Sequence, residues 1–192
     1  MQPLKYHLSY WERETFFKDI DLVVIGSGIV GLTAAIHYKT LRPKAKVVVI
    51  ERGALPIGAS TRNAGFACFG SMTELLDDLT HMSEDTVLGI VEKRWRGLQR
   101  LRNLIGDEAL DYKGLGGYEM FTEEEETIFQ QCLERIPDFN EKIGAITGRK
   151  SVYSVVDDRL PSFGFRGVRH LLLNEAEGQV NTGKMMSALL QK

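Results

Sequence analysis

The chain has 192 residues, 43% of them hydrophobic and 26% charged, with a formal net charge of −2. That balance is ordinary for a globular protein and excludes the basic field that general nucleic-acid binding requires. No stretch approaches the roughly 20 apolar residues of a membrane span, and the N-terminal MQPLKYHLSYWERETFFKDI has no apolar core before a small-residue cleavage site.

The two cysteines, Cys68 and Cys132, lie far apart and outside any metal-ligand spacing. They fit a reducing cytosol, so a cytoplasmic protein without a metal site is expected. There is no internal repeat and no low-complexity segment.

The first informative element is Leu22–Ile25, a short run of branched apolar residues that reads as a strand buried on both faces. It runs into Gly26-Ser27-Gly28-Ile29-Val30-Gly31, a full G-x-G-x-x-G. A helix is predicted to start within this motif and to continue to about Leu41, where Pro43 follows and cannot extend it. Residues 46–50 read as a second buried strand, parallel to the first, and Glu51 follows directly.

Each part of this unit has a physical task. Gly26 permits the tight turn out of the strand, Gly28 lets a pyrophosphate approach the backbone, and Gly31 lets helix and strand pack closely. Free N–H groups at the helix start, around Ile29 and Val30, face the phosphates. Glu51 can accept hydrogen bonds from ribose hydroxyls, and its charge argues against a 2′-phosphate. Strand, glycines, helix, strand and acid in this order predict dinucleotide binding.

The next stretch, RGALPIGASTRNAGFACFGS, does not continue into another regular helix and strand. It is dense in small residues, hydroxyls and amides, with no helix or strand periodicity. From Asp21 to Ser71 the chain resembles the FAD-dependent amine and amino-acid oxidases. These include the D-amino-acid oxidase, glycine oxidase and sarcosine oxidase types, and the nearest in look are the gamma-glutamylputrescine oxidases. The resemblance rests on VVIGSGIVGLTAA, on VIER, on the GAS-x-x-N-x-G loop and on SYWE at Ser9–Glu12. It implies FAD as cofactor. It implies that Ser60, Thr61 and Arg62 meet phosphate or ribitol oxygens, with Arg62 countering the pyrophosphate charge. Asn63 would hold the loop's own backbone, Ala64, Gly65 and Phe66 would lie against the flavin ring, and Arg52 flanks the adenosine or is solvated.

Beyond the loop, residues 72–82 read as a short helix, and Ser83 caps a longer one reaching Ile105. Its Leu88, Val91, Trp95, Leu98, Leu101 and Ile105 recur as an inward stripe, while Lys93, Arg94, Arg96, Arg100 and Arg102 make a solvated face. The stretch 112–122 is strand-like with a glycine bulge. Thr122 and Glu125 form a capping box before a helix that carries Ile128, Phe129, Cys132, Leu133 and Ile136 inward and should end or break at Pro137. Two more strands are expected at 151–156 and 169–173. Asn181 is positioned to cap a last helix, although family members have an Asp-Pro pair at 181–182. His7, His37, His81 and His170 show no evident catalytic partners.

The expected architecture is α/β, α+β overall. It comprises a Rossmann-like FAD-binding domain (residues 1–82 and 172–192) and an inserted, incomplete substrate domain (83–171). Family members run to about twice this length, so the chain is expected to be the N-terminal part of a longer enzyme, and on its own inactive. The resemblance implies oxidation of the C–N bond of a small amine or amino acid by hydride transfer to flavin N5. The alternatives are oxidation of a hydroxy acid or glycerol phosphate, and a truncated, non-catalytic nucleotide-binding fragment. No catalytic residue is identified.

Overall fold

The computed structural model describes residues 7–192; residues 1–6, which open the N-terminal segment read above, lie outside them. The chain forms two compact units, one of residues 1–62 with 186–192 and one of residues 63–185. These limits group residues by packing and assign neither unit a ligand.

In the first unit Ser9 and Glu12 close a reciprocal capping box around the short helix α1, Tyr10–Glu12, which runs on as one wide π-type turn, Arg13–Phe17. Strand β1, Leu22–Ile25, then pairs in parallel with β2, Val47–Ile50, in the register Leu22 to Val47 and Ile25 to Ile50. Between them runs helix α2, Ile29–Leu41, which stops at Arg42, one residue before Pro43.

The burial expected of both strands fails here. β1 is not buried on both faces, with Val23 46% and Ile25 88% exposed, and β2 has no fully buried residue, with Ile50 49% exposed. A strand loses water from both faces only when a layer covers each, and here α2 packs on one face alone.

The second unit contains β3 (Phe66–Ala67), α3 (Met72–His81), α4 (Glu84–Ile105), α5 (Asp107–Leu110) and β4 (Gly117–Thr122). It continues with α6 (Glu126–Thr147), β5 (Tyr153–Val155), α7 (Leu160–Phe163), β6 (Val168–Asn174) and β7 (Gly178–Gln179). Helix α8, Thr182–Gln191, follows, its residues from Met186 onward grouping with the first unit, and is capped as expected, with Asn181 Oδ1 accepting from Lys184 N at 3.0 Å. The sheet is antiparallel with order β4-β6-β5, and β3 and β7 form a separate antiparallel pair. The irregularity in β4 lies at Phe121/Thr122 rather than at the glycines.

The core of this unit is where α3, α4 and α6 meet the sheet, around Met72, Val91, Phe129, Cys132, Ile143 and Leu172. The inward stripe of α4 is narrower than its spacing suggests: Val87 and Val91 are buried, while Leu88 and Trp95 pack only partly. The basic face of α4 is mostly solvated, but three of its members are employed, Arg96 in an ion pair with Glu92 at 2.6 Å. Arg94 bonds Glu74 at 2.8 Å and the Phe69 carbonyl at 3.3 Å. Arg102 makes two 2.7 Å bonds to Asp107 and lies over the Tyr112 ring. His170, which showed no partner in the sequence, stands between Asp157 Oδ2 (2.7 Å) and Glu126 Oε2 (3.2 Å), stacked on Phe129. The carboxylates come from other elements, 13 and 44 residues away in the chain.

Helix α6 does not end at Pro137. The Thr122–Glu125 box starts it, and it passes through the proline to Thr147, where Gly148 closes it in the left-handed conformation. Proline inside a helix costs about 3 kcal/mol. Pro137 is on the exposed side, and the turns beyond it bury Phe139 and Ile143 completely. Two such side chains return about 1.5–3 kcal/mol each, so continuing the helix wins.

The same C-terminal half of α6 carries Asn140. Its Oδ1 accepts from Val152 N (2.8 Å) and Tyr153 N (2.7 Å), and its Nδ2 donates to the Tyr153 carbonyl at 2.9 Å. One side chain thus fastens β5 to the helix. Replacing it by leucine removes the side-chain partner of the Val152 and Tyr153 amides and leaves the Tyr153 carbonyl only the long 3.5 Å bond from Ser151 Oγ. Asn140→Leu should lower unfolding stability by about 3 kcal/mol, against about 0.5 or less for a surface change such as Glu141→Leu; urea denaturation of both variants checks this.

Candidate nucleotide-binding site

The motif folds as its glycines require. Gly26 adopts φ +95°, a conformation other residues rarely take, and its N–H donates to the Ile50 carbonyl at 2.7 Å. The turn is therefore tied to the end of β2 from its first residue. A Cβ on Gly31 would run into the Gly26 carbonyl oxygen and crowd Val24. Gly28 is the N-cap of α2 and brings no side chain of its own to the helix start.

Glu51 reaches back across the same strand ends. Its Oε2 accepts from Ser27 N at 2.9 Å and from Ser27 Oγ at 2.8 Å, and its Oε1 takes a longer bond from Gly53 N, 3.3 Å. The Ser27 amide and hydroxyl beside Glu51 hold its carboxyl below the usual carboxylate range. The acid is fixed in its ionised form, with Oε1 the less committed oxygen.

The loop after β2 returns to the helix start. Thr61 N and Arg62 N both donate to the Gly58 carbonyl, at 3.1 and 3.0 Å, and Thr61 Oγ1 donates to the Pro56 carbonyl at 3.0 Å. This turn places Ser60 so that its Oγ accepts from Ile29 N at 3.0 Å. Ser60 thus supplies, from the far side of the loop, the helix cap that Gly28 cannot.

These pieces surround a cleft of about 380 Å³ lined by Gly26, Gly28, Glu51, Arg52, Ser60 and the Pro56–Ala59 stretch, with Ile25 and Ile50 at the strand ends. Its volume is in the range of small-molecule sites. Of the residues singled out in the sequence, Gly26, Gly28, Glu51, Arg52 and Ser60 meet here. Ile29, Val30 and Gly31 begin α2 beside it, and Arg62 is exposed at the end of the loop. Asn63, Ala64, Gly65 and Phe66 belong to the other compact unit. There Asn63 Oδ1 accepts from Gly65 N at 2.9 Å, and Phe66, in β3, is 77% exposed.

Sequence reasoning passed over Ser27. It is a free position of the motif, and nothing local signals that its side chain will meet an acid 24 residues on. Among the described residues no group of three or more His, Cys, Asp or Glu could hold a metal, and no helix is long and apolar enough to cross a membrane.

A parallel strand pair, a glycine turn into a helix and an acid just after the second strand have the arrangement of a dinucleotide-binding half-site. Residues 21–192 match the family described as DAO, FAD dependent oxidoreductase, and the chain belongs to that family. The family is FAD dependent. No curated protein matches the sequence.

Similar solved structures include L-amino acid deaminase from Proteus myxofaciens in complex with anthranilate, with TM-score 0.61, 18% identity and coverage of 90% of this chain and 36% of that one. Glycine oxidase from Bacillus cereus ATCC 14579 gives TM-score 0.59 at 17% identity, covering 90% of this chain and 44% of that one. Iminodiacetate oxidase from Chelativorans sp. BNC1 gives 0.57 at 21% identity, with 88% and 43% covered. At such identities the likeness is one of fold. The chain spans less than half the length of each of these structures.

Gly31 is the site's most constrained position, because a methyl group there meets rigid backbone. Gly31→Ala should destabilise by about 2–3 kcal/mol, whereas Gly58→Ala, where an added Cβ meets nothing, should stay within about 0.5 kcal/mol. Thermal unfolding of the two variants distinguishes them.

Proposed function

We propose that this chain carries the nucleotide-binding part of an FAD-dependent oxidoreductase that oxidises the C–N bond of an amine or amino acid. The observation that carries the reading is Glu51, held ionised by Ser27 at the mouth of the cleft formed by Gly26, Gly28 and Ser60. The residues present fit a dinucleotide. The cleft has an acid at the end of β2 for ribose hydroxyls, and side-chain-free backbone at Gly26 and Gly28 where a pyrophosphate must come close. Its helix N-terminus favours negative charge.

In this reading Glu51 uses Oε1 to accept from a ribose hydroxyl while Ser27 retains Oε2. The remaining N–H groups at Val30 and Gly31 face phosphate oxygens, and Ser60 and Thr61 set the loop that borders them. Arg62 provides the compensating charge, which its planar guanidinium can deliver through two parallel bonds. Arg52 flanks the adenosine. Asn63 shapes the following turn, and Ala64, Gly65 and Phe66 present small and aromatic surface to the flavin. When bound, FAD supplies a hydride acceptor at flavin N5 for the carbon that bears the amine. The FAD-binding part is assigned to residues 1–82 and 172–192 and the substrate-facing part to 83–171. The amine or amino-acid substrate class is supported by the names of the similar structures, an amino-acid deaminase, a glycine oxidase and an iminodiacetate oxidase.

Denaturing the purified protein and identifying the released chromophore by chromatography tests the cofactor: FAD is expected, and NAD or FMN would overturn the reading. Glu51→Ala should weaken FAD binding about ten- to hundredfold, the scale for losing a hydrogen bond to a charged group. Glu51→Gln should lose less, since its amide oxygen still accepts one bond. Arg62→Ala should strip more flavin per chain than Arg52→Ala after identical purification. Calorimetric titration of the apoprotein and absorbance ratios check these outcomes.

A further inference from the structure

Glu177 is the one carboxylate among the buried side chains of the described residues, at 6% exposure. It sits in the turn between β6 and β7, and its Oε1 accepts from Phe69 N at 3.0 Å and Gly70 N at 3.3 Å. The remaining polar groups of those two residues are also held by side chains. Tyr153 Oη donates to the Gly70 carbonyl at 2.9 Å, with Asn174 Nδ2 at 3.5 Å, and Arg94 donates to the Phe69 carbonyl at 3.3 Å. β4 leaves room for the carboxylate: a Cβ on Gly117 would collide with Glu177 Oε2.

The other end of the same short segment is fixed to the same hairpin. Val180 N donates to the Gly65 carbonyl at 2.8 Å, and Phe66 and Ala67 pair with Gln179 and Gly178. Gly65 has φ +77°, and a Cβ on it would strike the Val180 carbonyl. Between the two anchors, Phe66 and Cys68 are presented to solvent. A buried carboxylate is expensive in water lost, and a neutral glutamine could accept the same two amide protons. Burial pushes the Glu177 carboxyl up from its ordinary value, and the two amide bonds oppose that by favouring the ionised form, which is the form present where a thiol titrates. Beside this carboxylate stands Cys68, whose thiol is pushed up by burial first and then by the charges of Glu177 and Glu74, against Arg94.

We propose that Glu177 is a positioning residue for Phe66–Cys68: its carboxylate fixes where β3 stands and sets a negative charge beside the Cys68 sulfur. The consequence for the flavin rests on the reading that Ala64–Phe66 face the ring. The positioning itself does not.

The test uses the full chain with Glu177→Gln and Glu177→Leu. Cys68 alkylation by iodoacetamide is followed against pH by peptide mass, with the fully buried Cys132 as the unreactive internal reference. Amide exchange is followed at Phe69 and Gly70. Glu177→Gln keeps both amide bonds, so protection and flavin content should stay at the parent level. The pH midpoint of Cys68 alkylation should fall, because removing a neighbouring negative charge favours the thiolate. Glu177→Leu should lose protection at both amides about tenfold or more and, in the FAD-bound protein, flavin as well. An unchanged Cys68 midpoint in Glu177→Gln overturns the charge role, and unchanged exchange in Glu177→Leu overturns the positioning role. If Glu177→Leu does not fold, exchange at Phe69 and Gly70 is read in Glu177→Ala, with the same loss expected and unchanged exchange overturning the positioning role. Alkylation and exchange need no cofactor. A parent chain that releases no FAD while these readouts behave as expected would refute the cofactor reading alone.

Discussion

The bond pair from Ser27 to Glu51 is the constraint on which the nucleotide half-site depends. β1 and β2 end side by side, and at their ends the chain must turn sharply into α2 while an acid projects over the turn. The Gly26 amide ties the turn to Ile50, and the Ser27 amide and hydroxyl tie it to Glu51. Three donors on two consecutive residues thus lock the motif to the second strand. The glycines can then be judged by what surrounds them: Gly26 by its positive φ, and Gly31 by the backbone oxygen facing it. Without the lock, the acid and the helix start would be neighbours only on average.

The second unit solves a similar problem with different means. A segment that must leave its polar backbone inside a packed core needs a partner for each N–H and C=O. At Phe69–Gly70 the partners are side chains, Glu177, Tyr153, Asn174 and Arg94. At β5 the partner is Asn140. At the start of α3, Glu119 accepts from the amides of Met72 and Thr73 at 2.6 and 3.0 Å. Polar side chains here join segments that share little regular hydrogen bonding, and the stitches link residues from 12 to 108 positions apart in the chain.

The most legible parts of the sequence were those whose physics is local. The glycine motif, the parallel strand pair and the acid after the second strand follow from φ preferences, branched apolar runs and spacing. The caps at Ser83, Thr122 and Asn181 follow from side chains that reach only three residues. Pro137 was misjudged by local rules alone, because its cost is outweighed by Phe139 and Ile143, whose burial is a property of the packed unit. The two-sided burial expected of β1 failed for the same reason: apolar composition records what a face prefers, and the layers actually present decide what it receives.

The sequence by itself determined the strand–glycine turn–helix–strand unit, the longer helices and the three sheet strands, because these depend on interactions within a few residues, but not the short elements α1, β3, α5, α7 and β7. Only the tertiary structure decided that Ser60 caps α2, that Ser27 holds Glu51, that His170 lies between Glu126 and Asp157, and that Glu177 anchors Phe69 and Gly70. Those pairs are separated by between 13 and 108 residues. A serine, a histidine or a glutamate has many possible partners at such distances. The choice among them is made by the packing of the whole unit, which no local pattern encodes.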